Sequence, residues 1–186
     1  MRVTSGNNKG RRLKTRTGNQ TRPTSDRVRA AIFDILPLDI SGAVVLDLYS
    51  GSGAMGIEAL SRGAGQALFV DSSRDSIRVI RENLELMGLG DRCRLMNKRA
   101  APALRLLGAE GSRFDLVFLD PPYPSGEAKK ALELLAGLDV LTDEAIVVAE
   151  HDVDHELGAS FGPLARVARR EYGRTVISFY EKRGKA

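Results

Sequence analysis

The residues best placed to do chemistry are Asp120-Pro121-Pro122-Tyr123, followed by Pro124 and preceded by the apolar run 114–119. Proline fixes its own φ and restricts the residue before it, so two in series stiffen the chain. If the apolar run is a strand, that stiff segment lies beyond its C-terminal end, where open α/β sheets bind ligands. Asp120 would then offer a carboxylate and Pro121 a carbonyl as two fixed acceptors. An exocyclic amine on a nucleic-acid base is planar and poorly nucleophilic, because its lone pair conjugates with the ring. Two acceptors that take its two N–H hydrogens would orient the nitrogen and draw that lone pair out of the ring. This is positioning and electrostatics, not strong-base chemistry. Tyr123 offers a face on which an extruded base can stack, worth about 1–3 kcal/mol. That is comparable with the few kcal/mol needed to unstack a base. Taken alone, the segment would also suit a proline-rich turn that merely ends a buried strand.

A second constellation lies upstream. Gly51, Gly53 and Gly56 form GxGxxG after the apolar run 44–49. Glycine there permits a tight turn and close approach of a ligand to the backbone. Asp71, 24 residues after Asp47, ends the next apolar run with Ser72 beside it, and an acid there can accept from ribose hydroxyls. The loop suits a dinucleotide or S-adenosylmethionine. Asp47 favours the second: a carboxylate before the loop attracts an amino-acid ammonium and repels a pyrophosphate. The loop has no lysine, which argues against a P-loop. Asp47 could equally cap the loop or the helix after it.

The elements that must position these residues alternate along the chain. Strands are predicted at 44–49, 68–71, 94–96, 115–119 and 145–149. Helices are predicted at 54–61, from Ser73 through the stripe Ile77, Ile80, Leu84 and Met87, at 100–107 with Pro102 in its first turn, and at 128–136. Strands separated by helices imply βαβ units and a parallel sheet. Two strand-like runs, 164–171 and 175–181 around Tyr172-Gly173-Arg174, suit an antiparallel hairpin at the sheet edge. The fold class is α/β, mostly parallel with an antiparallel C-terminal hairpin, plus a small basic N-terminal extension.

That extension is strongly basic. Residues 1–29 hold nine Arg or Lys against one acid, Asp26, so a chain of net charge +4 has a net negative body. A basic arm on such a body suits a polyanionic partner, although a solvated tail would have the same composition. Residues 2–5 and 11–15 flank the turn-rich 6–10 and predict a short hairpin. Residues 23–25 predict a helix start, with Val28, Ala31, Ile32, Ile35 and Leu36 as its apolar stripe and Pro37 as its stop. The division is 1–36, a basic hairpin and helix, and 37–186, the α/β body. One cysteine, Cys93, excludes an internal disulfide framework and is expected as a small buried hydrophobe. No run reaches membrane-span length and the N-terminus lacks a signal-peptide core, so a cytoplasmic location is expected. His151 and His155, with Asp152 and Asp154, read as a polar surface loop rather than metal ligands. Glu150 either touches substrate or caps a loop.

The tetrapeptide together with Asp47-x-x-x-Gly51-x-Gly53 resembles class I amino-methyltransferases. The segment from Arg22-Pro23-Thr24-Ser25-Asp26-Arg27 through Leu36, the stretch Gly56-Ile57-Glu58-Ala59-Leu60-Ser61-Arg62-Gly63, and Tyr172-Gly173-x-Thr175 resemble the RsmD family. The likeness runs from Arg2 to Tyr180. It implies a Rossmann-like S-adenosylmethionine-dependent enzyme that methylates N2 of a guanine in 16S rRNA, at the position usually numbered 966. It also implies that Gly51, Ser52 and Gly53 hold the cofactor's amino-acid end and that Asp71 and Ser72 hold its ribose. Asp120 and Pro121 would hold the guanine amine, with Pro122 stiffening the turn and Tyr123 stacking. Arg2, Arg11, Arg12, Arg22 and Arg27 would meet RNA phosphates. The enzyme is expected to act as a monomer, without metal or membrane, on rRNA or on an assembling 30S subunit. Where relatives carry an acid for the cofactor adenine, this chain has Arg99, which leaves that contact to the Ala100 amide. Tyr49-Ser50 replaces a common Phe-Ala. The tetrapeptide alone is shared with adenine and cytosine enzymes. An adenine-N6 methyltransferase, a nucleotide-binding dehydrogenase and a non-catalytic RNA-binding protein therefore remain as alternatives.

Overall fold

The computed structural model describes residues 1–15, 26–36, 39–122 and 126–183. Five parallel strands form the centre: β1 (Val44–Leu48), β2 (Gln66–Asp71), β3 (Cys93–Asn97), β4 (Phe114–Leu119) and β5 (Leu141–Asp152). Four helices connect them: α2 (Ala54–Ser61), α3 (Arg74–Met87), α4 (Ala100–Ala109) and α5 (Glu127–Gly137). Helix α1 (Asp26–Ile35) precedes them, and β6 (Ser160–Phe161), β7 (Leu164–Tyr172) and β8 (Thr175–Lys182) follow. The sheet order is β3-β2-β1-β4-β5-β8-β7-β6. β8 runs antiparallel to β5 and to β7, as the terminal hairpin predicted. Tyr172 pairs with Thr175, so Gly173-Arg174 is a two-residue turn, and Gly173 supplies its positive φ of 65°.

The central strands are buried on both faces, which is why they read as near-continuous apolar runs. One face packs under α4 and α5, with Leu46, Leu104, Leu132 and Val147 in its core. The other packs under α1, α2 and α3, with Val45, Ile57, Phe69 and Ile80. Local chemistry sets the helix ends. The Ser76 amide donates to Ser73 Oγ at 3.4 Å at the start of α3, and Gly88 (φ 68°) closes it. Pro102 sits in the first turn of α4, where its missing N–H has no intrahelical partner anyway.

Several boundaries differ from the sequence expectation. β5 is twelve residues long, not five, so Glu150, His151 and Asp152 lie within the strand, paired with Ile177, Val176 and Thr175. His151 is buried, which corrects the surface-loop reading of that stretch. β6 and a short 3₁₀ turn, Gly90–Arg92, were not expected. Cys93 is half-buried, and burial pushes its thiol up to about 12. The predicted helix start at 23–25 and the stop at Pro37 lie outside the described residues.

The predicted N-terminal hairpin forms, with the Val3 amide donating to Arg11 O (3.0 Å) and the Leu13 amide to Met1 O (3.1 Å). It is docked, not a solvated tail. Val3 and Leu13 are buried in the α1–α3 core. The hairpin turn presses on the end of α2 so closely that a Cβ on Gly6 would lie 1.8 Å from Ser61 O. Beneath it, the fully buried Glu58 carboxylate accepts from the Thr4 amide (2.8 Å), Thr4 Oγ1 (2.6 Å) and the Ser5 amide (2.9 Å). It also accepts from Arg29 Nε (3.2 Å) and Arg62 Nε (2.9 Å). Arg29 is itself wholly buried, so part of the basic charge counted in the arm is spent inside the protein. Among the described residues, no helix is long and apolar enough to cross a membrane.

Candidate active site

Chain order places the site. From β1 the chain winds outward through β2 and β3, then returns to add β4 and β5 on the other side, so the strand order reverses between β1 and β4. Ligands bind beyond the strand C-termini at such a switch point. The register carries this further: Leu48 is paired with Leu119, and Leu119 with Ala149. The residues that follow, Tyr49, Asp120 and Glu150, are therefore neighbours across the sheet, Tyr49 and Asp120 just past the ends of β1 and β4 and Glu150 within the longer β5, with the usual 4.7–4.9 Å or so between strands. The glycine loop leaves the first of these and the Asp-Pro-Pro segment the second, so the two predicted constellations open onto one region. Asp120 is part-exposed. Tyr123 and Arg22 lie outside the described residues.

The glycine loop is pinned from both sides. Gly51 and Gly53 have φ of 57° and 77°, in the left-handed region that favours glycine. Gly56 is required by packing, since a Cβ there would lie 2.4 Å from the Phe69 ring. The Gly56 amide donates to Asp47 Oδ2 (3.0 Å), and the Gly51 amide to Asp71 Oδ2 (2.9 Å). Asp71 Oδ1 also accepts from the Ser73 amide (2.8 Å). Each carboxylate oxygen has two lone pairs, so these bonds leave capacity for ligand hydroxyls. Asp47 is buried, and burial, aided by the charge of Asp71, pushes its carboxyl up to about 7 despite the bond from Gly56. Two carboxylates flank this loop. That arrangement suits a cationic ligand with hydroxyls and is unfavourable for a pyrophosphate.

At the tip of β3, the residue in register with Asp71 is Asn97, whose Nδ2 donates to Asp71 O (3.0 Å). Arg99 is exposed and forms the N-cap of α4, and Ala100 is the first, buried residue of that helix. The helix N-terminus therefore presents backbone amides in place of an acid.

Sequence reasoning gave no role to two neighbours of the loop, Tyr49 and Ser50. Tyr49 has φ 63°, the only positive value at a non-glycine among the described residues. Its hydroxyl donates to Glu127 Oε2 (3.3 Å), and burial and that carboxylate push its pKa well above the usual phenol range. Backbone strain of this kind collects at functional sites, but an aromatic at a strand end gives no sequence signal of it. Ser50 Oγ donates to Asp47 O and accepts from the Val70 amide (2.9 Å), bolting β1 to β2 beneath the loop.

The arm closes on the same loop. Asn83, wholly buried on α3, donates to Lys14 O (3.0 Å) and Ser52 O (2.9 Å) and accepts from the Lys14 amide (2.8 Å). Arg2, Arg11, Arg12 and Arg27 are exposed. Arg2 Nη1 donates to Gly10 O, and Arg11 Nη1 to Asn8 Oδ1. Arg174 pairs with Asp152 and Asp154. His151 is held by Ser178 Oγ (3.0 Å) and by the carbonyl of Asp152. Among the described residues, no group of His, Cys, Asp and Glu could hold a metal ion.

The chain is similar to known proteins over nearly its whole length. A protein of Bacillus subtilis named "Putative rRNA methyltransferase YlbH" is 39% identical over 99% of this chain and all of its own. The Escherichia coli K12 protein named "Ribosomal RNA small subunit methyltransferase D" is 34% identical over 84% of this chain and 77% of its own length. A solved structure described as "Putative methyltransferase yhhF from Escherichia coli" superposes with a TM-score of 0.87 at 29% identity, covering 100% of this chain and 99% of that one. The model of the family described as "Conserved hypothetical protein 95" matches residues 1–181. The chain belongs to this family, the RsmD family that its sequence resembles.

Proposed function

We propose that this chain is an S-adenosylmethionine-dependent methyltransferase acting on the exocyclic N2 amine of a guanine in small-subunit rRNA. The position is the one its resemblance implies, 966. The observation that carries the proposal is the side-by-side placement of β1 and β4 at the switch point, which opens the glycine loop and the Asp120-Pro121 acceptors onto common ground. The substrate class is supported by the names of the relatives and by the basic arm docked beside the loop.

The residues present fit the cofactor. Gly51, Ser52 and Gly53 would hold its amino-acid end, with Asp47 beneath as the countercharge. Asp71 and Ser72 would hold the ribose, and the Ala100 amide the adenine. The cofactor supplies a methyl group activated on a sulfonium. The chain's task is to aim a weak nucleophile at it. Asp120 and the Pro121 carbonyl accept the two N–H hydrogens of the amine, fixing its plane and stabilising the positive charge the nitrogen gains as its new bond forms. The surplus proton then leaves the nitrogen for water. Tyr123 supplies stacking, and residues 1–36 serve as an RNA-binding extension through Arg2, Arg11, Arg12, Arg22 and Arg27.

The test is methyl transfer from labelled cofactor to 16S rRNA and to 30S particles from a deletion strain, with the product nucleoside identified by mass spectrometry. N2-methylguanosine is expected. N6-methyladenosine, or no transfer to either substrate, would overturn the proposal.

A further inference from the structure

Holding an amine does not choose a base. Guanine, adenine and cytosine all carry an exocyclic amine, and two acceptors at Asp120 and Pro121 would receive any of them. The ring atom beside the amine does distinguish them. In guanine one of the two flanking ring nitrogens is N1–H, a donor, the other being bare N3. In adenine the flanking nitrogen is N1 and in cytosine N3, both bare acceptors. A third acceptor next to the amine site would therefore admit guanine and oppose the other two.

Glu150 is in that place. Its neighbour Ala149 pairs with Leu119, which puts Glu150, within β5, beside Asp120 at the end of β4. It is only 7% exposed, unusual for a glutamate. It lines a cavity of about 190 Å³ whose other walls include Pro121, Pro122 and the first turn of α5. His151, the next residue along β5, is fixed by Ser178, and burial lowers its pKa. An ionised carboxylate is acceptor only.

We propose that Glu150 accepts the N1–H of the target guanine and so selects guanine among the amine-bearing bases. This rests on the guanine-N2 reading above and extends it by naming the residue that discriminates. A base that sets its own lone pair against a buried carboxylate is repelled by it, and sites built to receive a donor reject analogues that lack it by large factors.

The experiment uses a small-subunit RNA fragment with guanine or 2-aminopurine at the target position. 2-Aminopurine keeps the C2 amine but has a bare N1. The wild-type protein is expected to show kcat/KM at least about 100-fold lower on 2-aminopurine. In Glu150→Gln the side-chain amide can donate to that bare N1, so the guanine rate should fall and the ratio should shrink to about tenfold or less. Binding of S-adenosylhomocysteine reports that the variant is folded. Equal wild-type rates on the two RNAs would overturn the proposal even if the variant cannot be made. An unchanged ratio in folded Glu150→Gln would also overturn it, while leaving the guanine-N2 function intact. Wild-type transfer to adenine in place of guanine would instead overturn the function, and this inference with it.

Discussion

Replacing Glu58 by alanine should destabilise the protein more than any surface change, because it leaves a buried cation without its partner. The carboxylate and the Arg29 guanidinium are both fully buried, and Glu58 accepts five hydrogen bonds from Thr4, Ser5, Arg29 and Arg62. Breaking a buried pair from one side costs about 3–5 kcal/mol. Arg29 keeps Asp26 as a second partner at 3.0 Å, which argues for the lower end, about 3 kcal/mol. For a chain of this length each kcal/mol lowers Tm by about 2–4 °C, so a loss of roughly 6–12 °C is expected. Urea unfolding gives the same quantity independently, as a lower midpoint at unchanged slope. The pH dependence adds a second signature. Burial alone would push the Glu58 carboxyl up, but the bonds from Thr4 and Arg62 and the charge of Arg29 bring it below its ordinary 4.5. The stabilisation is therefore present above that value and is lost as pH falls through the lower, folded-state pKa. The gap between wild type and Glu58→Gln should close over the same acid range. If Glu58→Ala unfolds within about 0.5 kcal/mol of wild type, the buried network contributes no more than a surface pair and its assigned role is wrong.

Two further predictions concern ligands. Asp47 holds its proton to about pH 7 in the folded chain, chiefly through burial, and a bound ammonium favours its ionised form. S-Adenosylhomocysteine affinity should rise with pH through about 7, and Asp47→Asn should bind more weakly with a flatter profile, as titration calorimetry at several pH values would record. Replacing Arg11 and Arg12 by alanine should weaken RNA binding and flatten the plot of log affinity against log salt by roughly 0.7–0.9 for each phosphate no longer neutralised. An unchanged slope would remove those side chains from the interface.

Much of the architecture was legible because burial on both faces writes itself as apolar runs. β1, β2 and β4 stand out for that reason, and the glycine loop and the proline pair mark where two of them end. The full extent of β5 was not legible. Between Leu141 and Ile146 the strand spends five residues while β4 advances only from Phe114 to Leu116, and Thr142, Asp143 and Glu144 in that excursion are polar. At its other end, Glu150–Asp152 look like loop but are held in the sheet by β8. Arg29 was hidden because its type signals surface, and Glu58, its partner, lies 29 residues away. The strain at Tyr49 and the staple made by Asn83 arise from tertiary contacts alone. The convergence of 51–53 with 120–121 could be expected from sequence only through the strand order that the βαβ pattern implies.

Asp120 is assigned to the base amine and not to the cofactor, and the rest of the chemistry depends on that division. A paired assay of Asp120→Ala addresses it, with S-adenosylhomocysteine binding and single-turnover methyl transfer to 16S rRNA measured on the same preparation. Cofactor affinity is expected to stay within about threefold of wild type while methyl transfer drops by about 10²–10³. Transfer at the wild-type rate, or a loss of cofactor binding that matches the loss of transfer, would show that Asp120 does not hold the amine.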